Sequence, residues 1–424
     1  MFDIFSLKDF KFPHGFVWGS STAGHQIEGD NVHSGRWVEE KEAHAVNPEY
    51  ELSGKACDHY NRVDEDIELL VKLGHRAYRM SVEWARIQPE EGVFDKEATE
   101  HYIRELARLK ERGITTFVTL VHVSMPYWFE QKGGFFDLKN FGYFETYLRY
   151  ILPKISPYVD FWNIFNEFNL GISEFYLNKK FNHTICHAHA YHIMKEYTSA
   201  PISSAHAFVR YYGLRQSDPF DRAAQAWYDA IDNEFFFHAM RTGELVVPGK
   251  DGIYDKDIKD TCDFWSVNTY VRRLLNTRCA DVKNARYPFT NMSMIRRPFY
   301  LEEFDPESLY DNLLRLNDKP IYITENGCSC DNDDFRIVWI AEYLSAVHAA
   351  IEAGADVRGY LYWSTMDNYE WGSYKPRFGL VDVDFSHDFK RTPKPSAYFY
   401  KEIIEHNGFT QEILRKYLHK MPRL

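Results

Sequence analysis

The chain has 424 residues, of which 45% are apolar and 17% aromatic, and a formal net charge of −12. That acidity repels phosphate backbones and anionic lipid, which excludes nucleic acid as the expected partner. No apolar run reaches the roughly 18 residues that a bilayer-spanning helix needs, so no membrane insertion is expected.

In chain order, Gly15-Phe16-Val17-Trp18-Gly19-Ser20 reads as a short strand that empties into a polar rim of Ser21, Thr22, His25, Gln26 and Glu28. Residues 29–56, rich in Gly, His and charge, read as a long irregular loop. Helical spacing follows from His59 to Leu73, with Val63, Ile67, Leu70 and Val71 on one stripe and Gly74 as the stop. Ala77–Trp84 is the second strand, 98–109 a helix, Thr115–His122 the third strand and 141–152 a helix. The fourth strand, Asp160–Glu167, leads into a long His-rich helix over 174–197. Then come a fifth strand at 202–208, a helix over 222–240 and a sixth strand at 264–270. A long loop near 276–305 shows no period; Arg272-Arg273 and Arg296-Arg297 are read as solvated loop pairs. A short helix at 306–316, the seventh strand from Ile321, a helix at 333–353, the eighth strand at 357–364 and helices near 395–405 and 411–418 complete the chain.

Eight apolar strands alternating with helices predict parallel strands covered on both faces. Polar residues gather after nearly every strand, not at one crevice, which favours a single (β/α)8 barrel over residues 1–424 and places the site at the C-terminal strand ends. No phosphate-gripping glycine loop is present, so no nucleotide cofactor is expected. The six cysteines have no framework spacing, and the Cys328/Cys330 pair lacks a distant partner pair for zinc. Met1 to Lys11 has no apolar leader core, so free thiols in a reducing cytoplasm are expected. His183, His187, His189 and His192 cluster on one helix without a companion carboxylate pattern, and no metal is assigned to them.

The strand ends supply Gln26 and Glu28, Arg79, His122, Asn166 and Glu167, Asn268 and Tyr270, Glu325, and finally Trp363, Glu370 and Trp371. Pro320-Ile-Tyr-Ile-Thr-Glu325-Asn-Gly and Asp160-Phe-Trp-Asn-Ile-Phe-Asn-Glu167 share one grammar: an apolar strand that stops at a carboxylate and an amide. Two carboxylates facing one cavity are the equipment of glycoside hydrolysis, with the amides and the His as hydroxyl ligands and the indoles as flat platforms for a sugar ring. Glu28 is read as structural.

At these positions the chain resembles glycoside hydrolase family 1, the β-glucosidase and β-glycosidase group, over about residues 10–400. The matching strings are STAGHQIEG (21–29), YRMSVEWARI (78–87), NE (166–167), NTY (268–270), ITENG (323–327), YWSTMDNYEW (362–371) and RFGL (377–380). The resemblance implies Glu325 as nucleophile and Glu167 as acid/base in a double displacement, with the carboxyl groups about 5–5.5 Å apart. It implies Arg79 and Tyr270 as the partners that keep Glu325 ionised, with a lowered pKa, and Asn268 as their support. Asn166, Gln26, His122, Glu370 and Trp371 become ligands of the sugar hydroxyls, and Trp363 the floor under the ring. The expected substrates are terminal β-D-glucosides; galactosides, fucosides or transglycosylation are the alternatives within the class, a non-catalytic sugar-binding barrel the alternative outside it. Val123 stands where the family has an aromatic, Phe168 where it has Pro, and the 372–376 loop is one residue short. Glu370 opposes a 6-phosphate, whereas Lys375 keeps a 6-phospho-β-glycosidase among the alternatives.

Overall fold

The computed structural model describes residues 3–171, 174–278 and 304–422, so most of the 276–305 segment, with Arg296 and Arg297, lies outside the described residues. Eight parallel strands close into a barrel: β1 (Val17–Ser21), β2 (Ala77–Ser81), β3 (Thr115–Val121), β4 (Phe161–Asn166), β5 (Ile202–Ala207), β6 (Trp265–Asn268), β7 (Ile321–Asn326) and β8 (Val357–Trp363). Each pairs with its neighbours in sequence, and β8 pairs with β1 through Gly359–Val17 to Trp363–Ser21. Outside the strands lie α1 (Gly35–Val46), α2 (Val63–Lys72), α3 (Lys96–Glu111), α4 (Phe141–Ile155), α5 (Glu174–Lys195), α6 (Pro219–Asp229), α7 (Phe235–Thr242), α8 (Pro306–Leu314), α9 (Asp333–Glu352) and α10 (Pro395–His406).

The strand period of two builds the barrel interior in layers. Val17, Ala77, Phe117, Phe161, Phe264, Tyr322 and Leu361 form one apolar cluster at its base. Two residues further along the same strands stand Gly19, Arg79, Thr119, Asn163, Ser266, Thr324 and Trp363. The interior therefore turns polar one layer above its floor. Arg79 Nε donates to Thr119 Oγ1 (3.1 Å), and the Ser266 and Thr324 hydroxyls are 2.9 Å apart. A polar layer sealed below by aromatics and above by the strand ends is the platform on which the carboxylates stand.

Two buried networks close the outside. His59 lies between Asp66 (2.8 Å) and Glu105 (3.0 Å), and Arg391 Nε donates to Asp66 (2.8 Å). The chain ends meet as Phe10–Lys11 pairs antiparallel with Gly408–Phe409, and Trp18 Nε1 donates to Asn407 Oδ1 (2.8 Å).

Several expectations change. Residues 29–56 are not wholly irregular: Ser34 caps α1 by accepting from Trp37 N, and α1 buries Glu40, whose carboxylate takes the Ser53 N–H and hydroxyl. Val71 is exposed, and α2 starts at Val63 behind a separate turn. The helix expected over 222–240 is two helices divided by a π turn at Ala230–Glu234. Lys180 Nζ takes the Ile231 carbonyl (2.7 Å) and Asn169 Nδ2 the Asp232 carbonyl (2.7 Å), which draws those carbonyls out of the helical ladder. Arg272 and Arg273 belong to a strand, Arg272–Leu275, parallel to Arg210–Gly213, not to a solvated loop. Among the described residues no helix is long and apolar enough to cross a membrane.

Candidate active site

Arg79, fully buried in β2, organises the centre. Its Nη1 pairs with Glu325 Oε1, and its Nη2 donates to Asn166 Oδ1 (2.6 Å). Tyr270 donates its hydroxyl to the other Glu325 oxygen (2.6 Å). Asn268 Nδ2 donates to both Asn166 Oδ1 (3.0 Å) and Glu167 Oε1 (3.0 Å), and its own Oδ1 accepts from Thr324 (2.8 Å). Residues 166, 167, 268, 270 and 325, which come from three strands, are thus joined in one buried network around Arg79.

The two carboxylates differ in what grips them. Glu325 is held by a guanidinium and a phenol, Glu167 by one amide. Burial, with the Glu325 charge beside it, pushes Glu167 up to about 7 against the pull of Asn268. Burial raises Glu325 as well, with Arg79 and Tyr270 pulling the other way. The expected lowering of Glu325 is therefore corrected: desolvation outweighs the attraction of Arg79. A single proton shared between the pair belongs on Glu167, since charge-assisted bonds from Arg79 and Tyr270 favour the ionised form of Glu325.

The rim completes the pocket. Gln26 Nε2 donates to Asn368 Oδ1 (3.0 Å) and the Tyr369 carbonyl (2.9 Å), while its Oε1 is buried without a partner among the described residues. The His122 ring lies parallel to Trp363 at 5.9 Å; burial, with Arg79 nearby, holds it well below its usual pKa and therefore neutral. Its Nδ1 is buried and has no hydrogen-bond partner among the described residues. Trp363 Nε1 donates to Glu370 Oε1 (3.1 Å), and Trp363 shares a small apolar cluster with Tyr270, Ala23 and Phe378. Trp371 stacks on His25 (6.0 Å, 5°), with the Arg36 guanidinium 5.4 Å from its ring centre. All the residues expected at the site thus lie at the C-terminal mouth of the barrel.

Three residues at this mouth hold left-handed backbone: Glu167 (φ 50°), Val123 (φ 66°) and Trp371 (φ 45°). That region is uncommon for any residue but Gly and an outlier for β-branched Val. Each marks where a strand or its loop turns sharply to aim a side chain. Glu28 is structural as expected, paired with Arg86 Nε (2.6 Å) and Tyr102 Oη (3.0 Å). His187 is bonded to Ser204 (2.8 Å) and the Thr261 carbonyl (2.7 Å), and His192 to the Asp257 carbonyl (2.8 Å), so both are committed to the backbone of the fold. Sequence reasoning did not name Arg36, whose guanidinium lies against the Trp371 ring, because residues 29–56 were read as irregular.

Comparison with known proteins adds the following. The sequence model described as Glycosyl hydrolase family 1 matches residues 8–409. The chain is 29% identical to beta-glucosidase A of Thermotoga maritima, over 94% of this chain and 98% of that protein. It is equally 29% identical to a 6-phospho-beta-galactosidase of Staphylococcus aureus, over 93% of this chain and 98% of that protein. A beta-glycosidase from Pyrococcus horikoshii superposes with a TM-score of 0.83 at 32% identity, covering 96% of this chain and 98% of that one.

Proposed function

Because the chain belongs to glycosyl hydrolase family 1 and is a glycoside hydrolase, we propose that it is a retaining β-glycosidase that releases terminal non-reducing β-D-glucosyl residues. Glu325 attacks the anomeric carbon as Glu167 gives its proton to the departing oxygen; the C–O bond to the leaving group breaks and an ester to Glu325 forms. Glu167, now ionised, takes a proton from water, whose oxygen displaces Glu325 and regenerates both groups. The observation that carries this reading is the unequal grip on the two carboxylates: Arg79 and Tyr270 on Glu325, Asn268 alone on Glu167.

Glucose is favoured over a 6-phosphosugar because Glu370, held by Trp363 beside the pocket, brings a negative charge where a 6-phosphate would sit. In the same loop the Tyr374 hydroxyl donates to the Ser53 carbonyl (2.5 Å), and Lys375 is exposed. The identity of 29% to relatives of both kinds leaves this choice to the pocket. A cytoplasmic address, with the whole chain as one catalytic unit, goes with this reading; the buried thiols of Cys57, Cys186, Cys262 and Cys330 suit a reducing compartment.

The test is trapping with a 2-deoxy-2-fluoro-β-D-glucoside bearing a good leaving group. Peptide mass analysis is expected to find the fluorosugar on Glu325. A label on Glu167, or no label despite turnover of aryl glucosides, would overturn the assignment.

A further inference from the structure

Of the five described cysteines, Cys57, Cys186 and Cys262 are buried single thiols. Cys57 Sγ donates to the Asp367 carbonyl (3.2 Å) and Cys262 Sγ to the Phe264 carbonyl (3.0 Å), and burial pushes all three thiols up. Cys328 and Cys330 differ. Their sulfurs lie 3.9 Å apart in the loop after β7, just beyond Glu325. The buried guanidinium of Arg336 donates from Nη2 to the Cys330 carbonyl (3.2 Å). The Cys328 thiol, with the Arg336 charge nearby, holds the Cys330 thiol below its usual range despite burial. The thiolate is the reactive form of the residue. Cys330 is 4% exposed and is followed by exposed Asp331 and Asn332, so the pair lies at the edge of solvent.

The loop has little slack at either end. A Cβ added at Gly327 would fall 1.7 Å from the Trp363 carbonyl oxygen, so the backbone there is pressed against the end of β8. Asn326 is fixed by three bonds: Nδ2 donates to the Thr269 carbonyl (2.6 Å), and Oδ1 accepts from Trp339 Nε1 (3.2 Å) and the Tyr360 hydroxyl (2.7 Å). On the far side Ser329 Oγ accepts from Arg377 N (2.8 Å), and Cys330 N donates to the Arg377 carbonyl (3.4 Å). The next residue, Phe378, packs with Trp363 and Tyr270, and Tyr270 bonds Glu325. A disulfide holds its sulfurs about 2 Å apart. Closing the 3.9 Å gap to that distance draws the loop off one of its anchors, and both anchors lead to Trp363 or Tyr270.

We infer that Cys328 and Cys330 are a reversible redox pair, oxidised by a peroxide to a disulfide that slows turnover at Glu325 and reduced again by a dithiol. The Cys330 thiolate attacks one oxygen of hydrogen peroxide and the O–O bond breaks. The sulfur becomes a sulfenic acid, and the hydroxide released takes up the thiol proton to become water. The Cys328 sulfur then attacks the Cys330 sulfur; the S–O bond breaks, and the departing hydroxide takes the Cys328 proton as a second water. Two thiols and one peroxide thus give one disulfide and two waters. Disulfides that come and go are the redox-sensing kind that a reducing compartment allows. The effect on turnover rests on the glycosidase reading; formation of the bond does not.

The test exposes the reduced enzyme to hydrogen peroxide. Non-reducing peptide mapping is expected to find the peptide that carries Cys328 and Cys330 lighter by two hydrogens. In the same sample kcat/KM for an aryl β-glucoside should fall by about 10- to 100-fold, the scale of an ångström's misplacement in an active site. Dithiothreitol should restore both, a result that needs no variant to fold. Cys328→Ser and Cys330→Ser should each turn over like the reduced wild type and keep that rate in peroxide, whereas Cys279→Ser should stay sensitive. No loss of two hydrogens at this peptide, a disulfide that leaves kcat/KM unchanged, or an inactivation that persists in both the Cys328 and Cys330 variants overturns the inference. A reduced enzyme inactive on every glycoside brings down the glycosidase reading and the slowing with it; an active enzyme untouched by the disulfide brings down the redox control alone.

Discussion

Tyr270→Phe isolates the least redundant contact to the proposed nucleophile. The hydroxyl sits 2.6 Å from Glu325 Oε2, and both groups are buried. A hydrogen bond to a charged group is worth about 1.5–3 kcal/mol. One pH unit corresponds to about 1.4 kcal/mol, so losing the bond should raise the ionisation of Glu325 by about one to two units. Arg79 keeps the other oxygen, which places the shift at the lower end, about one unit. Glu325 must be ionised to attack, so activity disappears as pH falls through its pKa, and a raised pKa moves that acid limb upward. The assay is kcat/KM against pH for an aryl β-glucoside with a good leaving group, for which proton donation by Glu167 matters least. The limb should move up by about one unit and the plateau fall by about 10- to 100-fold, the rate equivalent of the same bond. The ring remains packed with Ala23, Trp363 and Phe378, so the melting temperature should hardly change. An acid limb that stays in place, or moves down, would refute the reasoning.

Three further outcomes are expected. Glu325→Gln should abolish turnover of every glycoside, whereas Glu167→Gln should spare the first step on activated aryl glycosides far more than on alkyl glucosides; stopped-flow bursts on paired substrates measure this, and equal losses would count against the acid role. With Glu167 at about 7 and needed protonated, kcat/KM for an alkyl glucoside should fall as pH rises through about 7, a limb whose absence would show that another group donates. His59 is pushed down by burial, but Glu105 and Asp66 more than offset this and lift it from 6.5 to about 10. A raised folded pKa stabilises fully below about 6.5, and that stability is lost as pH rises through 10. His59→Gln should therefore cost about 3–5 kcal/mol in urea unfolding at pH 6 and clearly less at pH 10; the same cost at both would mean that the ring is neutral.

The barrel and the meeting of Glu167 and Glu325 at its mouth were legible because strands buried on both faces write themselves as apolar runs, and because a carboxylate or amide at the end of such a run has few structural reasons to be there. Boundaries moved by a few residues, as at Ala77–Ser81, where Val82 and Glu83 already lead into the short helix Trp84–Ile87. What failed to show was set by partners far away in sequence. Helix α1 carries Gly, His and five charged side chains with little apolar stripe; it is fixed by its Ser34 cap and by buried Glu40 meeting Ser53, neither of which has a periodic signature. The π turn at Ala230–Glu234 depends on Lys180 and Asn169 arriving from another helix and loop. The sense of the Glu325 shift was missed for a related reason: sequence names the arginine beside it but not the depth of burial that opposes it.

Closure of the barrel sets an order on the making of the enzyme. The first strand has no lasting place until β8 arrives beside it, more than three hundred residues later, and Gln26 finds Asn368 and Tyr369 only then. The tie between Trp18 and Asn407, and the pairing of Phe10–Lys11 with Gly408–Phe409, wait for residues later still in the chain. A nascent chain can therefore carry both glutamates, already folded into their own βα units, and still have no sugar pocket. Both glutamates therefore precede the rim that Gln26 completes with Asn368 and Tyr369, and a chain stopped before β8 would hold both carboxylates without that wall.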